Sequence, residues 1–318
     1  MIGRRTVWSA NDVKKLLKDF IPCGDEVWRL HHGTDAECKL FQMFCEEGHY
    51  GTKTGGTPNS TRQGTYCCTP SGMFLGSVNS NDSGRICELL RTSLVKYQAI
   101  DKKERLQAKD PAPERKNLQR AEAKYPEDGL ILRVHSRDLE RKGGKREEEW
   151  AEKAHNVDFA WFTKEELQNF LPKSFEKKAT FEVPRELLVR LARLHFADNV
   201  RGQTDPYAVE AVEKIELKET VKDLKKDLVI IEFEGELKLK DATRLFEGRL
   251  RGTASWDTRK NVFTVFELIA AGDRTGQTRY NFRQNDLGPA PIGFCCVMAG
   301  DVPSDKIAPA HLGGYGWR

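Results

Sequence analysis

Eight cysteines are the side chains of this sequence that could carry covalent or redox chemistry. They stand at positions 23, 38, 45, 67, 68, 87, 295 and 296, and no two of them form a CxxC pair. Most are predicted to be reduced, buried hydrophobic residues, because their spacing is unlike the framework of a small disulfide-rich protein. Three are candidate catalytic thiols for peroxidatic or disulfide-exchange chemistry: Cys23, Cys38 and Cys45.

Cys23 lies in a short Pro-Cys-Gly segment at 22–24, where a thiol between helices would be exposed. Asp25 and Glu26 follow it directly. Their carboxylates are expected to raise the pKa of Cys23 rather than lower it. This neighbourhood therefore argues against a reactive thiolate at Cys23.

Helical spacing also suggests a possible metal site. Cys38 and Cys45 are seven residues apart and His49 follows four residues later, so the three could meet on one helix face. The fourth ligand would have to be one of three upstream residues: Cys23, His31 or His32. Paired zinc ligands usually stand about two to four residues apart, however, and Phe41 and Phe44 mark this face as core. We adopt core packing, and the sequence predicts neither a metal nor a cofactor.

Polar residues at predicted loops and strand ends are the candidate binding residues. One pair adjoins a Gly- and Thr-rich loop at 49–60, where it could bind an anion or a peptide edge. A second group follows a predicted helix, and a third lies at strand ends, the usual place for sites on a sheet. From these groups we select Arg62, Gln63, Asp198, Arg201, Arg274 and Arg279. Helix capping and surface ion pairs are the alternative interpretation.

The elements that must position these residues are clearest in the carboxyl half. Apolar residues alternate with charged ones along 228–240 and 246–256, and a polar turn at 257–261 precedes another strand at 262–271. A strand at 212–221 and an amphipathic helix starting at Pro184 come before them. The pattern predicts a curved antiparallel meander packed on helices, with His195 as a hydrogen-bonded core histidine.

The amino-terminal third has the order helix, helix, loop, hairpin, helix. Its hairpin and last helix begin with TYCCTPSGMFLGSVNSND, which resembles the carboxyl half of a thioredoxin-like domain over roughly residues 61 to 98. The family's CxxC dithiol is absent, and TRQG at 61–64 stands where the family usually has a cis-proline loop. The resemblance implies a thioredoxin-like α/β domain, possibly incomplete, that lacks the dithiol.

The carboxyl half resembles uncharacterised bacterial proteins that append such a region to a thioredoxin-like part. The likeness rests on NVRGQTDPY, VFELIAAGDRTGQTRYN and DLGPAPIGF, and it implies no activity. We therefore expect an α+β protein with a domain at 1–100, a charged linker at 101–126 and a second domain at 127–318.

Composition excludes several classes of protein. A net charge of +4 against 52 basic and 48 acidic residues gives no bulk field for nucleic acid. No apolar run is long enough for a membrane helix, and no apolar segment of a signal peptide follows the first residues. We therefore expect a cytoplasmic protein, or one whose leader is missing from this sequence.

Three hypotheses of function follow. The first is a binding or accessory role for a thioredoxin-like domain without its dithiol, with an unknown protein or a small apolar ligand as partner. The second is a thiol-dependent oxidoreductase that uses a single cysteine of the first domain. The third is a carrier of an apolar ligand between the carboxyl-terminal sheet and its helix.

Overall fold

The computed structural model describes residues 7–8, 10–25, 27–49, 62–106, 121–141 and 149–317. The chain divides into two compact units, Met1–Arg115 and Lys116–Arg318. Several predicted features lie largely outside the described residues: the cap residue Ser9, the loop at 49–60, the middle of the linker and the charged excursion at 138–150. No helix of the described residues is both long and apolar enough to cross a membrane.

The amino-terminal unit contains helices and one hairpin. Its helices are α1 (Asn11–Leu16), α2 (Val27–His32), α3 (Ala36–Glu47), α4 (Ser83–Ala99) and α5 (Lys102–Arg105). Helix α1 ends at Leu16 and continues as a 3-10 turn over Leu17–Asp19, short of Pro22. The cap of α4 could be Asn81 or Asp82 from the sequence, and it is Asp82, because its carboxylate accepts the Arg85 N–H at 2.8 Å.

The hairpin of this unit pairs β1 (Thr65–Cys68) with β2 (Phe74–Val78) in an antiparallel two-stranded sheet. Its turn contains Gly72 with a φ of +86°, a conformation that glycine adopts without steric cost. A small apolar core joins the hairpin to α1 and α4, and it includes Val13, Cys67, Leu75, Ile86, Cys87 and Leu90. The thiols of Cys67 and Cys87 thus belong to this core.

The carboxyl-terminal unit is built on one eight-stranded antiparallel sheet. Its strands are β3 (Leu130–Asp138), β4 (His155–Phe162), β5 (Thr180–Glu182), β6 (Val212–Lys225), β7 (Leu228–Lys240), β8 (Arg244–Asp257), β9 (Val262–Gly276) and β10 (Ala290–Met298). Their order across the sheet is β4-β3-β10-β9-β8-β7-β6-β5. The predicted meander is confirmed as β6 to β9, and helices with antiparallel sheets confirm an α+β protein.

Helix α8 (Arg185–His195) covers the inner face of this sheet. Its predicted stripe is buried, as are the alternating apolar residues of β6 to β10, among them Leu217, Phe233, Leu250, Phe266 and Phe294. Each large side chain removed from water stabilises the fold by roughly 1.5–3 kcal/mol. These side chains fill the space between α8 and the strands.

Two short helices complete this unit: α6 (Glu149–Lys153) and α7 (Lys164–Leu167). Thr163 caps α7 with a capping box, as the Thr-x-x-Glu spacing of Thr163 and Glu166 favours. Its hydroxyl accepts the Glu166 N–H at 3.2 Å, and the Glu166 carboxylate accepts the Thr163 N–H at 2.9 Å. The 3-10 turn Gln168–Phe170 extends α7.

His195 joins α8 to β4 and to the end of the chain. Its Nδ1 lies 2.8 Å from Asp158 Oδ2, and its Nε2 lies 2.7 Å from the Tyr315 hydroxyl. That hydroxyl also accepts the Trp161 N–H at 3.1 Å. The prediction of a hydrogen-bonded core histidine is confirmed.

Candidate functional site

The two polar groups of the carboxyl half meet at one end of the sheet. Asp198 and Arg201 follow α8, whereas Arg274 lies near the end of β9. The loop between β9 and β10 supplies Arg283 and Asp286, which contact all three. Together with two residues at the end of β3, these side chains form what we call the Arg–Asp cluster: Asp138, Arg141, Asp198, Arg201, Arg274, Arg283 and Asp286.

Arg283 is the centre of the cluster and is 0% exposed. Its guanidinium donates to Asp198 from Nε at 2.7 Å and from Nη2 at 2.9 Å. It donates to both oxygens of Asp138, at 2.7 and 2.9 Å, and contacts Asp286 at 3.3 Å. A planar guanidinium with five N–H donors fits such a set of carboxylates.

Asp286 is shared among four arginines. Its Oδ2 accepts from Arg141 at 2.6 Å, lies 3.0 Å from Arg201 Nη2, and also contacts Arg274 and Arg283. Burial alone would raise the pKa of Asp286, but the hydrogen bond from Arg141 and the surrounding positive charges hold that pKa below its ordinary value. Asp286 is therefore ionised at neutral pH.

Backbone contacts hold the loop in place beside the cluster. Gln203 N–H donates to the Tyr280 carbonyl at 2.9 Å, which forms a short bridge between the α8 end and the β9–β10 loop. A Cβ atom on Gly202 would lie only 1.9 Å from that same carbonyl oxygen. Glycine is thus required there for the close approach of two backbones.

A small cavity adjoins the cluster, and we call it the Arg244–Arg274 cavity. Its walls are Phe196, Asp198, Tyr207, Arg244, Leu245, Phe246, Arg274, Thr275, Gly276, Asn281, Ile292 and Phe294. It has room for about one water molecule. The walls thus combine five large apolar side chains with two guanidinium groups, two hydroxyl groups, one amide and one carboxylate.

Arg274 is a side chain of these walls with one unsatisfied hydrogen-bond donor. It is 2% exposed, and it contacts the side chain and the backbone carbonyl of Asp286. Its Nε is buried without a hydrogen-bond partner. Burial, followed by the positive charge of Arg283, lowers the pKa of Arg274. Its guanidinium is therefore only partly compensated by its protein neighbours.

Arg244 lines the same cavity, but most of its hydrogen-bond donors have partners within the protein. Its Nε donates to Asp241 at 2.9 Å, and its Nη atoms donate to Thr204 and to the carbonyls of Asp205 and Pro206. Its guanidinium also lies 3.9 Å from the centre of the Tyr207 ring, within cation–π distance. Four of its five N–H bonds are thus used within the protein.

The other predicted binding residues are not members of this cluster. Arg279 is exposed, and its guanidinium lies 5.0 Å from the centre of the Tyr280 ring. Arg62 is buried in the amino-terminal unit, where its carbonyl accepts the Tyr66 hydroxyl at 2.9 Å, and its neighbour Gln63 is exposed. The structure thus brings together three of the six predicted binding residues.

The three candidate thiols are separate from one another. Cys23 is exposed, and its Sγ lies 3.7 Å from the Ile21 carbonyl. Cys38 lies 3.4 Å from Arg29 Nη1, and Cys45 Sγ lies 3.5 Å from the Tyr66 hydroxyl. Burial raises the pKa of both Cys38 and Cys45. All eight cysteines are free thiols.

The described part of the chain holds no group of three His, Cys, Asp or Glu side chains that could bind a metal ion. Sequence reasoning missed five charged residues of the site: Asp138, Arg141, Arg244, Arg283 and Asp286. A signal existed for Arg244, because it stands at an inward position of β8, in alternation with Phe246 and Leu250. A charged residue at such a position indicates a buried polar contact.

The sequence and the structure were compared with known proteins, and no match was found. No protein-family model matches the sequence, and neither the curated proteins nor the solved structures give a match. The resemblance of residues 61 to 98 to thioredoxin-like domains therefore stays a prediction.

Proposed function

We propose that the carboxyl-terminal unit binds a small anion in the Arg244–Arg274 cavity, and that the protein has a binding role. The observation that carries this proposal is the buried Nε of Arg274, which has no hydrogen-bond partner and belongs to a residue of the cavity wall. Leaving a buried charged donor unpaired costs free energy that a hydrogen-bonded anion would recover.

The electrostatics of the cluster support the same proposal. Arg274 contacts one carboxylate, that of Asp286, and three other arginines share it. An anion in the cavity would give Arg274 a partner of its own. The negative charge of the anion would also raise the pKa of Arg274 and so counteract the effect of burial, which lowers that pKa.

The proposal favours a binding role over thiol chemistry. A catalytic thiol is usually accessible and has a lowered pKa, whereas Cys38 and Cys45 are buried with raised pKa values. Apolar side chains fill the space between α8 and the sheet, which favours a small ligand over a lipid. For the amino-terminal unit, a thioredoxin-like domain with an accessory role remains part of the proposal.

The test is the thermal stability of the full chain in sodium salts of small anions at constant ionic strength. A ligand that binds only the native state raises the free energy of unfolding, by about 2.7 kcal/mol at one hundred times its Kd. We expect such a rise for the wild type and none for Arg274→Met. Arg251→Met is the matched control, because Arg251 is an exposed arginine of β8. The proposal would be refuted if the anions changed the free energy of unfolding of the wild type and of Arg274→Met by the same amount.

A further inference from the structure

We infer that the anion bound in the Arg244–Arg274 cavity is a single halide ion, and that this ion is chloride. This inference rests on the proposed function and specifies its ligand. It follows from three observations: the size of the cavity, the balance of charge around it, and the hydrogen-bonding groups of its walls.

The size of the cavity limits the ligand to a single heavy atom. The cavity has room for about one water molecule. Its walls cannot widen without cost, because the Phe294 ring lies 5.3 Å from that of Phe196 and 5.2 Å from that of Phe246. Carboxylates, phosphate and sulfate each have three or more heavy atoms and would push these rings apart. A chloride ion is only slightly larger than a water molecule.

The charge around the cavity favours an anion over a water molecule. Among the described residues, the Arg–Asp cluster has four guanidinium groups and three carboxylates. Arg141 donates to both oxygens of Asp286, at 2.7 and 2.6 Å, and so competes with Arg274 for that carboxylate. Arg244 adds no surplus, because it is paired with Asp241. A water molecule would leave the surplus positive charge in place, whereas a monovalent anion would neutralise it.

The same balance sets the charge of the anion. Asp198 is also a residue of the walls, and both of its oxygens accept from Arg283. The positive charge of Arg283 thus matches the negative charge of Asp198. A divalent anion beside them would replace the surplus positive charge with a surplus negative one. The ion is therefore monovalent.

The residues of the walls carry donors that suit such an ion. Arg274 has an Nε–H without a partner, and one Nη2 hydrogen of Arg244 remains after its contacts with the protein. Asn281 has two amide hydrogens, and its Oδ1 already accepts a backbone N–H. The hydroxyls of Tyr207 and Thr275 can donate or accept, because a hydroxyl proton rotates to suit its partner. These hydroxyls fit water and chloride equally, so the surplus charge decides for chloride.

The first experiment uses the full chain in solution and follows the arginine Nε–H signals by NMR. Loss of one signal in Arg274→Lys assigns that of Arg274. The wild type is titrated with sodium chloride, iodide, formate and sulfate, and sodium gluconate, whose anion is too large for the cavity, keeps the ionic strength constant. We expect the Arg274 signal to shift and saturate with chloride. The affinity for chloride should exceed that for each other anion by about tenfold or more, because the larger anions must force the walls apart.

The second experiment locates the ion without any variant. Long-wavelength anomalous diffraction from a wild-type crystal in sodium chloride detects chloride directly, and we expect a peak inside the Arg244–Arg274 cavity. The NMR control is Arg251→Met, which changes an exposed arginine and should bind chloride as the wild type does.

The outcomes separate the inference from the proposed function. Binding of iodide, formate or sulfate at Arg274 with an affinity that clearly falls within about tenfold of that for chloride would overturn the inference and leave an anion site in place. An Arg274 signal that responds to none of the anions would overturn both, and the cavity would then hold water. Chloride that shifts this signal but is absent from the cavity in the crystal would also overturn both, because the ion would bind elsewhere.

Discussion

Arg283 and Asp198 form an ion pair with two hydrogen bonds, Nε to Oδ2 at 2.7 Å and Nη2 to Oδ1 at 2.9 Å, in the interior of the carboxyl-terminal unit. The pair joins the β9–β10 loop to the segment that follows α8. Because that loop also carries Asn281 and Asp286, the ion pair holds in place the residues that surround the proposed anion site.

Replacement of Arg283 should destabilise the carboxyl-terminal unit strongly. In Arg283→Met, Asp138 and Asp198 lose hydrogen bonds from a fully buried guanidinium and stay largely buried themselves. Removal of one partner of a buried ion pair costs about 3–5 kcal/mol. Urea unfolding followed by circular dichroism would measure this loss of unfolding free energy.

Arg274→Met is the comparison for that experiment. It leaves Asp286 with Arg141, Arg201 and Arg283, so no carboxylate of the cluster loses all its partners. We expect it to cost less than half as much as Arg283→Met. Two results would contradict the inference that Arg283 is the central residue of the cluster. One is an equal loss of unfolding free energy in both variants, and the other is a loss of less than about 1 kcal/mol in Arg283→Met.

The sheet could be predicted from sequence because apolar and polar residues alternate along each long strand. This alternation can be recognised from neighbouring residues alone. Residues 228–240 and 246–256 alternate between apolar and polar positions, and β7 and β8 follow that pattern in the structure. Short elements without such periodicity, α2 and β5, were missed. Three residues on β5 offer too few positions for alternation to be recognised.

The candidate site is formed by contacts between residues that are far apart in the sequence. No local pattern of residue types predicts such contacts. Asp138 reaches Arg283 because β3 pairs with β10, although the two strands are far apart in the sequence. Arg283 itself lies in a loop, where periodicity gives no information. Charged residues at inward strand positions were the usable signal, and Arg244, Arg274 and Glu219 all carry it. Such positions identify buried polar groups before the partners are known.

The Tyr315 hydroxyl should contribute measurably to stability. In Tyr315→Phe, the buried Trp161 N–H and His195 Nε2 both lose their partner. A buried group left without its hydrogen bond costs about 1–3 kcal/mol. Urea unfolding should show a loss of this size, whereas Tyr280→Phe, at an exposed tyrosine, should show almost none. Equal effects at the two positions would mean that the hydroxyl does not stabilise the contact.

The thiols should differ in reactivity according to their burial. Cys23 and Cys68 are exposed, whereas five thiols are buried: Cys38, Cys45, Cys67, Cys87 and Cys296. We expect Cys23 to react first with iodoacetamide and Cys68 more slowly. The Cys68 residue is exposed, but desolvation by the surrounding protein still raises the pKa of its thiol and lowers the thiolate fraction. Peptide mass mapping of the native protein measures each rate, and the denatured chain gives the total. Fast alkylation of Cys45 would favour the thiol enzyme over the binding role.

Glu219 should make stability depend on pH. It stands on the inner face of β6, is 2% exposed, and its Oε2 has no hydrogen-bond partner. Burial raises its pKa from 4.5 to about 7. The native state therefore retains a proton that the unfolded chain releases at lower pH. The free energy of unfolding should fall as pH rises from about 4.5 to about 7, by about 3 kcal/mol in total, and stay level above.

Glu219→Gln isolates this effect, because the amide cannot ionise. Urea unfolding from pH 4.5 to 8.5 should show the wild type losing stability relative to the variant across that window, with the difference constant above about pH 7. Glu216→Gln, at an exposed position of the same strand, should follow the wild-type curve. Parallel curves for the wild type and Glu219→Gln would show that Glu219 ionises equally in both states. In that case, water or a cation must reach its carboxylate in the native protein, and the carboxylate would not be buried in an apolar environment.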